Sequence, residues 1–295
     1  MTIGSLMQGG FRLIKERPGA MLIWLVIQLV VTIGASYATA AILQGNIDAV
    51  LAGASVQSAQ MSNTMQTLGL SLVEFIFTAI LYAAVQRSII HPTEGGPGWL
   101  KLGMDEVRFY LLILLYLIIF TVAALILMVV LGIFFAGAAA EMIGPMALVI
   151  LAIAFVAISY FGTKISLTFP LTLKRGAFAI GEGWGLTSGR FWTLYGAYFI
   201  IFLILLGVAI GSLFISQPEY LSAIMQYGIN SPEAQYASLE ESRRVLSGVI
   251  DARMIIVWLV GALGSTLFMA LMGGAAATAV QELTGDEAGL SETFS

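Results

Sequence analysis

Of the chain's 295 residues, 59% are hydrophobic and only 10% charged, against about 25% charged in an average soluble domain. The net charge of −4 argues against a nucleic-acid partner, and the absence of Cys removes disulfides and thiolate metal sites. This is the composition of an integral membrane protein, and no segment is suited to burying a separate soluble core, so residues 1–295 are read as one membrane domain.

The chain begins with "GFRLIKERP", which sets Arg12, Lys15 and Arg17 ahead of the first apolar run. A span needs about 20 mostly apolar residues to cross about 30 Å of hydrocarbon, and it must be helical so that its backbone polar groups are satisfied. Residues 21–43 reach that length. They exceed the roughly 7 to 15 residues of a signal-peptide core, so the "ATA" at 38–40 is not read as a cleavage site. An outer connection without Lys or Arg, 44–67, leads to the second span, 68–90. Glu74 lies in this span, about six residues or about 9 Å from its outer end. A carboxylate at that depth is a functional candidate because its charge is costly to bury. Tyr37, at similar depth in the first span, is its expected hydrogen-bond partner; a solute or proton role for Glu74 and snorkelling to the outer surface are the rivals.

Between the second and third spans lie His91, Pro92, Lys101 and Arg108. His91 is the single histidine, read as a solvated turn residue, with a proton-handling pair with Glu94 as the rival; one His supplies neither a zincin motif nor a Ser-His-Asp set. The third and fourth spans are 109–137 and 145–169, with Lys164 expected to reach the inner surface. Next comes "SLTFPLTLKRGAFAIGEGWGLTSGRFW", 166–192. Pro170 is expected to end the fourth span. Leu173, Ala177, Ile180 and Trp184 then share one helical face, with Arg175 and Glu182 opposite, so the segment is expected to lie in the inner headgroup layer. Its glycines weaken a helix and predict an elbow. "GEGWGL" lacks the third glycine of a dinucleotide turn, and Glu182 stands where a P-loop needs Lys, so neither is a nucleotide site.

The fifth span, 192–215, carries "GVAIG" at 207–211, a close-packing motif that serves either intramolecular packing or a homodimer seam. In the outer connection 216–253, Ser231 is a predicted N-cap with Pro232 following. Tyr236, Leu239, Arg243, Leu246 and Ile250 form a stripe at helical spacing, and Glu240 and Arg244 an i,i+4 pair. The expectation is an amphipathic helix capping the outer ends, with a partner-docking surface as the alternative. The sixth span, 254–283, holds Gly261, Gly264, Ser265, Gly273 and Gly274.

Ten of the thirteen Lys and Arg (12, 15, 17, 87, 101, 108, 164, 174, 175 and 190) fall on one side of this plan. By the positive-inside rule both termini are cytoplasmic. The segments starting at Gly10, Gly98 and Gly183 echo one another, as "GFRLIKERP", "GWLKLGMDEVRF" and "GWGLTSGRF", and "AVQ" recurs at 84–86 and 279–281. The reading is an all-α polytopic fold of six transmembrane helices in three pseudo-repeated hairpins, each led in by an interfacial elbow. Candidate headgroup contacts are Arg12, Arg17, Lys101, Arg108, Lys174, Arg175 and Arg190 with Trp184, Phe191 and Trp192, each cation adding about 1 kcal/mol beside an anionic surface.

With the span end, elbow, "SGRFW" and new span parsed this way, and with "FRLIKERPGAMLIWLVIQLVV" near the start, the chain resembles the glycerophosphoryl diester phosphodiesterase membrane-domain family and related uncharacterised bacterial six-helix proteins. The resemblance implies a bacterial cytoplasmic-membrane protein that handles or senses lipid or assists other membrane proteins. The family's phosphodiesterase domain has no counterpart in these 295 residues, and a single His does not supply its chemistry. The functional expectation is a non-enzymatic module without cofactor, bound to membrane lipids, anionic ones included, and to a protein partner or a second copy. The alternative is a small-solute, lipid or proton-coupled transporter using Glu74. Against it stand the few polar residues in the spans: Gln28, Thr32, Glu74, Thr121, Ser159 and Thr163.

Overall fold

The computed structural model describes residues 1–293 except 95, 137–139, 217, 229–230, 235, 238–243, 245–246 and 248–249, and omits the side chains of 56, 132–136, 140–148, 151, 215–216 and 286–293. The described residues are helical, with no strand, and six helices are long and apolar enough to cross a membrane. The end of the bundle that carries the ten basic residues is called here the basic end.

A 14-residue amphipathic helix, α1 (Ile3–Glu16), opens the chain at the basic end. Thr2 caps it, accepting from the Ser5 N–H while Ser5 Oγ accepts from the Thr2 N–H, both at 3.1 Å. Pro18 stops α1 and begins α2 (Pro18–Leu51), since its ring suits only a first helical turn. α3 (Val56–Ile90) returns, its Ser55 cap accepting from Ser58 N–H at 3.1 Å. These helices of 34 and 35 residues measure about 51 Å at 1.5 Å per residue, against a hydrocarbon core of about 30 Å. The expected connection 44–67 is therefore mostly helical. Hydropathy drops there, but no proline intervenes, and an Asn46–Asn63 side-chain bond of 3.3 Å ties the projecting arms.

A 3-10 turn (Pro97–Trp99) precedes α4 (Met104–Ala136), and α5 (Ala140–Ile165) follows it. The elbow is two short helices, α6 (Thr168–Arg175) and α7 (Ile180–Ser188), before α8 (Phe191–Ser216). At the far end lie α9 (Pro218–Tyr227) and Ser231, whose Oγ accepts from Ala234 N–H at 3.1 Å as a cap should. Leu239, Glu240, Arg243 and Leu246 of the expected cap helix lie outside the described residues. The last span is α10 (Ala252–Phe268), a π-helical turn (Met269–Gly273) and α11 (Gly274–Thr293).

Packing arranges the spans as an arc in the order α4, α3, α2, α10, α8, α5. The first and third expected hairpins are packed pairs. The middle one is not: α4 rests on α3 and α6, α5 on α7 and α8, and no substantial packing among the described residues joins α4 to α5. All three buried clusters lie toward the basic end. Leu6, Leu171, Leu194 and Leu271 centre one, Trp24, Leu81 and Val85 the second, and Ala83, Phe109 and Leu173 the third. Helix association in lipid is driven by close van der Waals fit rather than by exclusion from water. The tightest fit is where α1 crosses the last span: a Cβ on Gly10 would stand 2.7 Å from Leu271 Cα, and one on Gly274 2.7 Å from Gly10 Cα.

The elbow departs from its expected position. The left-handed Gly176 (φ 62°) breaks the predicted helix, so Ala177 falls off the shared face. α6 then enters the core, with Thr168, Pro170, Leu171, Thr172 and Leu173 all buried, instead of lying among headgroups. Only α7 remains peripheral, held by Gly183 against the Thr168 backbone.

Candidate functional site

Away from the basic end the arc opens. Every residue of 121–130 on α4 is exposed and none of 202–214 on α8 is buried, and among the described residues no substantial packing joins these two far halves. The concave face holds a cavity of about 590 Å³, bounded by Gln28, Thr78 and Tyr82 on one side and by Val208, Ser212, Gly264, Ser265 and Phe268 on the other. Its floor is Phe169 of α6. Tyr82, Phe109 and Tyr116 surround that ring at centroid distances of 5.6, 5.4 and 5.8 Å, an edge-on aromatic plug toward the basic end. The π turn begins at Met269 on the cavity wall, and π turns recur at functional positions.

A second hollow of about 470 Å³ adjoins the first between α2 and α3, lined by Thr32, Ser36, Thr39, Glu74 and again Gln28 and Thr78. Glu74 is half-buried here. The expected bond to Tyr37 is absent: the Tyr37 ring packs on Trp258 at 5.9 Å, and no hydrogen bond or ion pair among the described residues reaches the Glu74 carboxylate. Trp258, contributed by α10, takes the position beside Tyr37, and its Nε1 donates to Ser36 Oγ at 3.2 Å. Sequence reasoning found Glu74, Gln28 and Thr32 but not Ser36, Thr39, Thr78 or Ser212; single hydroxyls in a span also bond their own helix, so only the fold gathers them.

The headgroup candidates do gather at the basic end, and most are paired. Arg12 meets Glu16 at 2.7 Å, Lys101 meets Glu94 at 2.9 Å, Arg108 meets Asp105 at 2.8 Å and Arg175 meets Glu182 at 2.6 Å. The Lys101 hydrogen bond, followed by the charge of His91, holds the Glu94 carboxyl below its usual range. Arg17 lies 4.1 Å over the Trp99 ring, a cation–π contact, and Lys174 donates to Thr284 Oγ1. Arg190 is exposed, as are Trp184 and Trp192, and Phe191 is half-buried against Trp192. At the far end Glu219, held low by its own backbone N–H and by Arg253, binds Arg253 at 2.9 Å and so ties α9 to α10.

Two cations counted with the surface set are instead internal. Arg87 is 1% exposed; its guanidinium donates to Glu106 Oε1 at 2.5 Å and to the Trp99 carbonyl at 3.0 Å. Lys164 does not reach the surface: at 6% exposure it donates to Ser188 Oγ at 2.7 Å amid the rings of Trp184, Tyr160 and Phe191 at 5.5 to 6.0 Å. Nothing in the sequence marks either pairing, because the partners are brought by separate helices.

No protein-family model, curated protein or solved structure matches the chain.

Proposed function

We propose that the protein is a non-enzymatic module of a bacterial inner membrane, with both termini cytoplasmic, that holds lipid in the cleft between α4 and α8. The observation that carries this reading is the cavity of about 590 Å³ beside the exposed far half of α4. At span depth the material available to fill such a space is acyl chain, and the walls of Ile113, Leu205, Val208 and Phe268 suit it. The resemblance of the elbow region to the glycerophosphoryl diester phosphodiesterase membrane-domain family points toward lipid as well. The paired cations and exposed Trp184 and Trp192 at the basic end would seat the module among cytoplasmic headgroups, with Arg190 open to an anionic one.

The chain has no cysteine, so a single Ala209→Cys substitution can carry a fluorophore on the cavity wall. In bilayers, lipids brominated on their chains should quench it and aqueous iodide should not. Quenching by iodide alone would put water there and favour the second reading, a solute transporter, which Glu74, unpaired among the described residues, supports. Quenching by neither would mean a closed cleft and defeat the lipid reading.

A further inference from the structure

We infer that Glu74 and the hydroxyls around it bind the cationic head of an amphiphile whose chain lies in the adjoining cavity. This rests on the lipid reading of the cleft. A half-buried carboxylate in a span is costly unless something compensates its charge, and no described residue does so. The hollow around it contains no Lys, Arg or His. Two of the four hydroxyls there already use their hydrogens within the helices: Thr78 donates to the Glu74 carbonyl at 3.0 Å and Ser36 to the Thr32 carbonyl at 2.8 Å. Their remaining lone pairs can only accept. A carboxylate plus hydroxyl acceptors matches the N–H groups of an ammonium, and offers a phosphate or carboxylate head no charge partner. Gln28 and Thr78 line both hollows, so head and chain sites are continuous and suit one molecule with a polar head and an apolar tail.

The test uses the full chain in nanodiscs of zwitterionic lipid, with three probes of equal chain length: dodecylammonium, dodecanol and dodecanoate. Each is titrated against the brominated-lipid quenching at Ala209→Cys. Dodecylammonium should displace the lipid at about tenfold lower concentration than dodecanol, the effect of one charge-assisted bond worth upward of 1.4 kcal/mol. Dodecanoate should be the weakest. Glu74→Gln should bring dodecylammonium to the level of dodecanol while leaving dodecanol unchanged, which also shows that the cleft is intact; Glu74→Asp should retain part of the preference. Equal displacement by all three heads, or an ammonium preference that survives Glu74→Gln, would overturn the head site and leave the lipid cleft standing. Failure of the brominated lipids to quench at all would defeat the cleft reading itself.

Discussion

Arg87 illustrates how position along the chain differs from environment. It belongs to the basic set on which the proposed orientation rests, yet it is desolvated and joins the ends of α3 and α4 through Glu106, whose second oxygen accepts from the Gly103 N–H at 2.9 Å. A buried pair is weak evidence of net stabilisation, but removing one partner strands a charge. Glu106→Gln should cost about 3 kcal/mol, the low end of the usual range, because Asp105 stays 3.6 Å from Arg87. Thermal unfolding in detergent should show the loss, and Arg87→Met with Glu106→Leu should recover much of it. A Glu106→Gln protein as stable as the parent would mean that the guanidinium is solvated. Lys164 solves the same problem differently, using ring faces and one hydroxyl in place of a carboxylate.

Among the elements, α1 owes its place to glycine rather than to its amphipathic pattern alone. Its apolar face would suit a headgroup layer, yet Leu6, Gly10 and Leu13 are buried in the bundle because Gly10 and Gly274 let two backbones meet. Gly274→Val would drive its side chain into the Gly10 backbone and should release α1 while leaving the spans inserted, since apolar length specifies those. Limited proteolysis at Arg12 and Lys15 should then become rapid. Unchanged protection would show that α1 is held from elsewhere. The two "AVQ" triplets end in different environments: Gln86 is buried, whereas Gln281 is exposed and its Nε2 donates to the Ile89 carbonyl at 2.6 Å, tying α11 to α3. The "GVAIG" motif has no such neighbour: a Cβ at Gly207 or Gly211 would meet nothing within 4 Å. The two glycines themselves therefore pack on no described neighbour. Gly273, by contrast, packs against Tyr82 and Val85.

For the whole molecule, the decisive features are polarity of charge and polarity of packing along one axis. Basic residues and buried clusters share an end; hydroxyls, Glu74 and uncovered helix faces share the other part of the bundle. The proposed orientation in the membrane rests on the first, and the proposed access to the cleft on the second. Single cysteines at Ser58 and Ser222 should react with an impermeant maleimide in intact cells, whereas cysteines at Lys15 and Arg190 should react only after permeabilisation. The reverse pattern would invert the protein and put the Glu74 hollow toward the cytoplasm.

What the sequence determined by itself was the number of spans, their helicity and the clustering of basic residues, because lipid allows one backbone solution per apolar segment and hydropathy reports length directly. It also isolated Glu74, since a carboxylate in a span stands out against its neighbours. Other decisions depended on which faces meet: the break at Gly176 that sends α6 inward, the pairing of Tyr37 with Trp258 in place of Glu74, and the separation of α4 from α5. Residues far apart in the chain supply those contacts, and in lipid every span is apolar on nearly all sides, so no stripe of hydrophobicity marks the buried face. The cleft is a property of the arc, and only the tertiary structure could decide it.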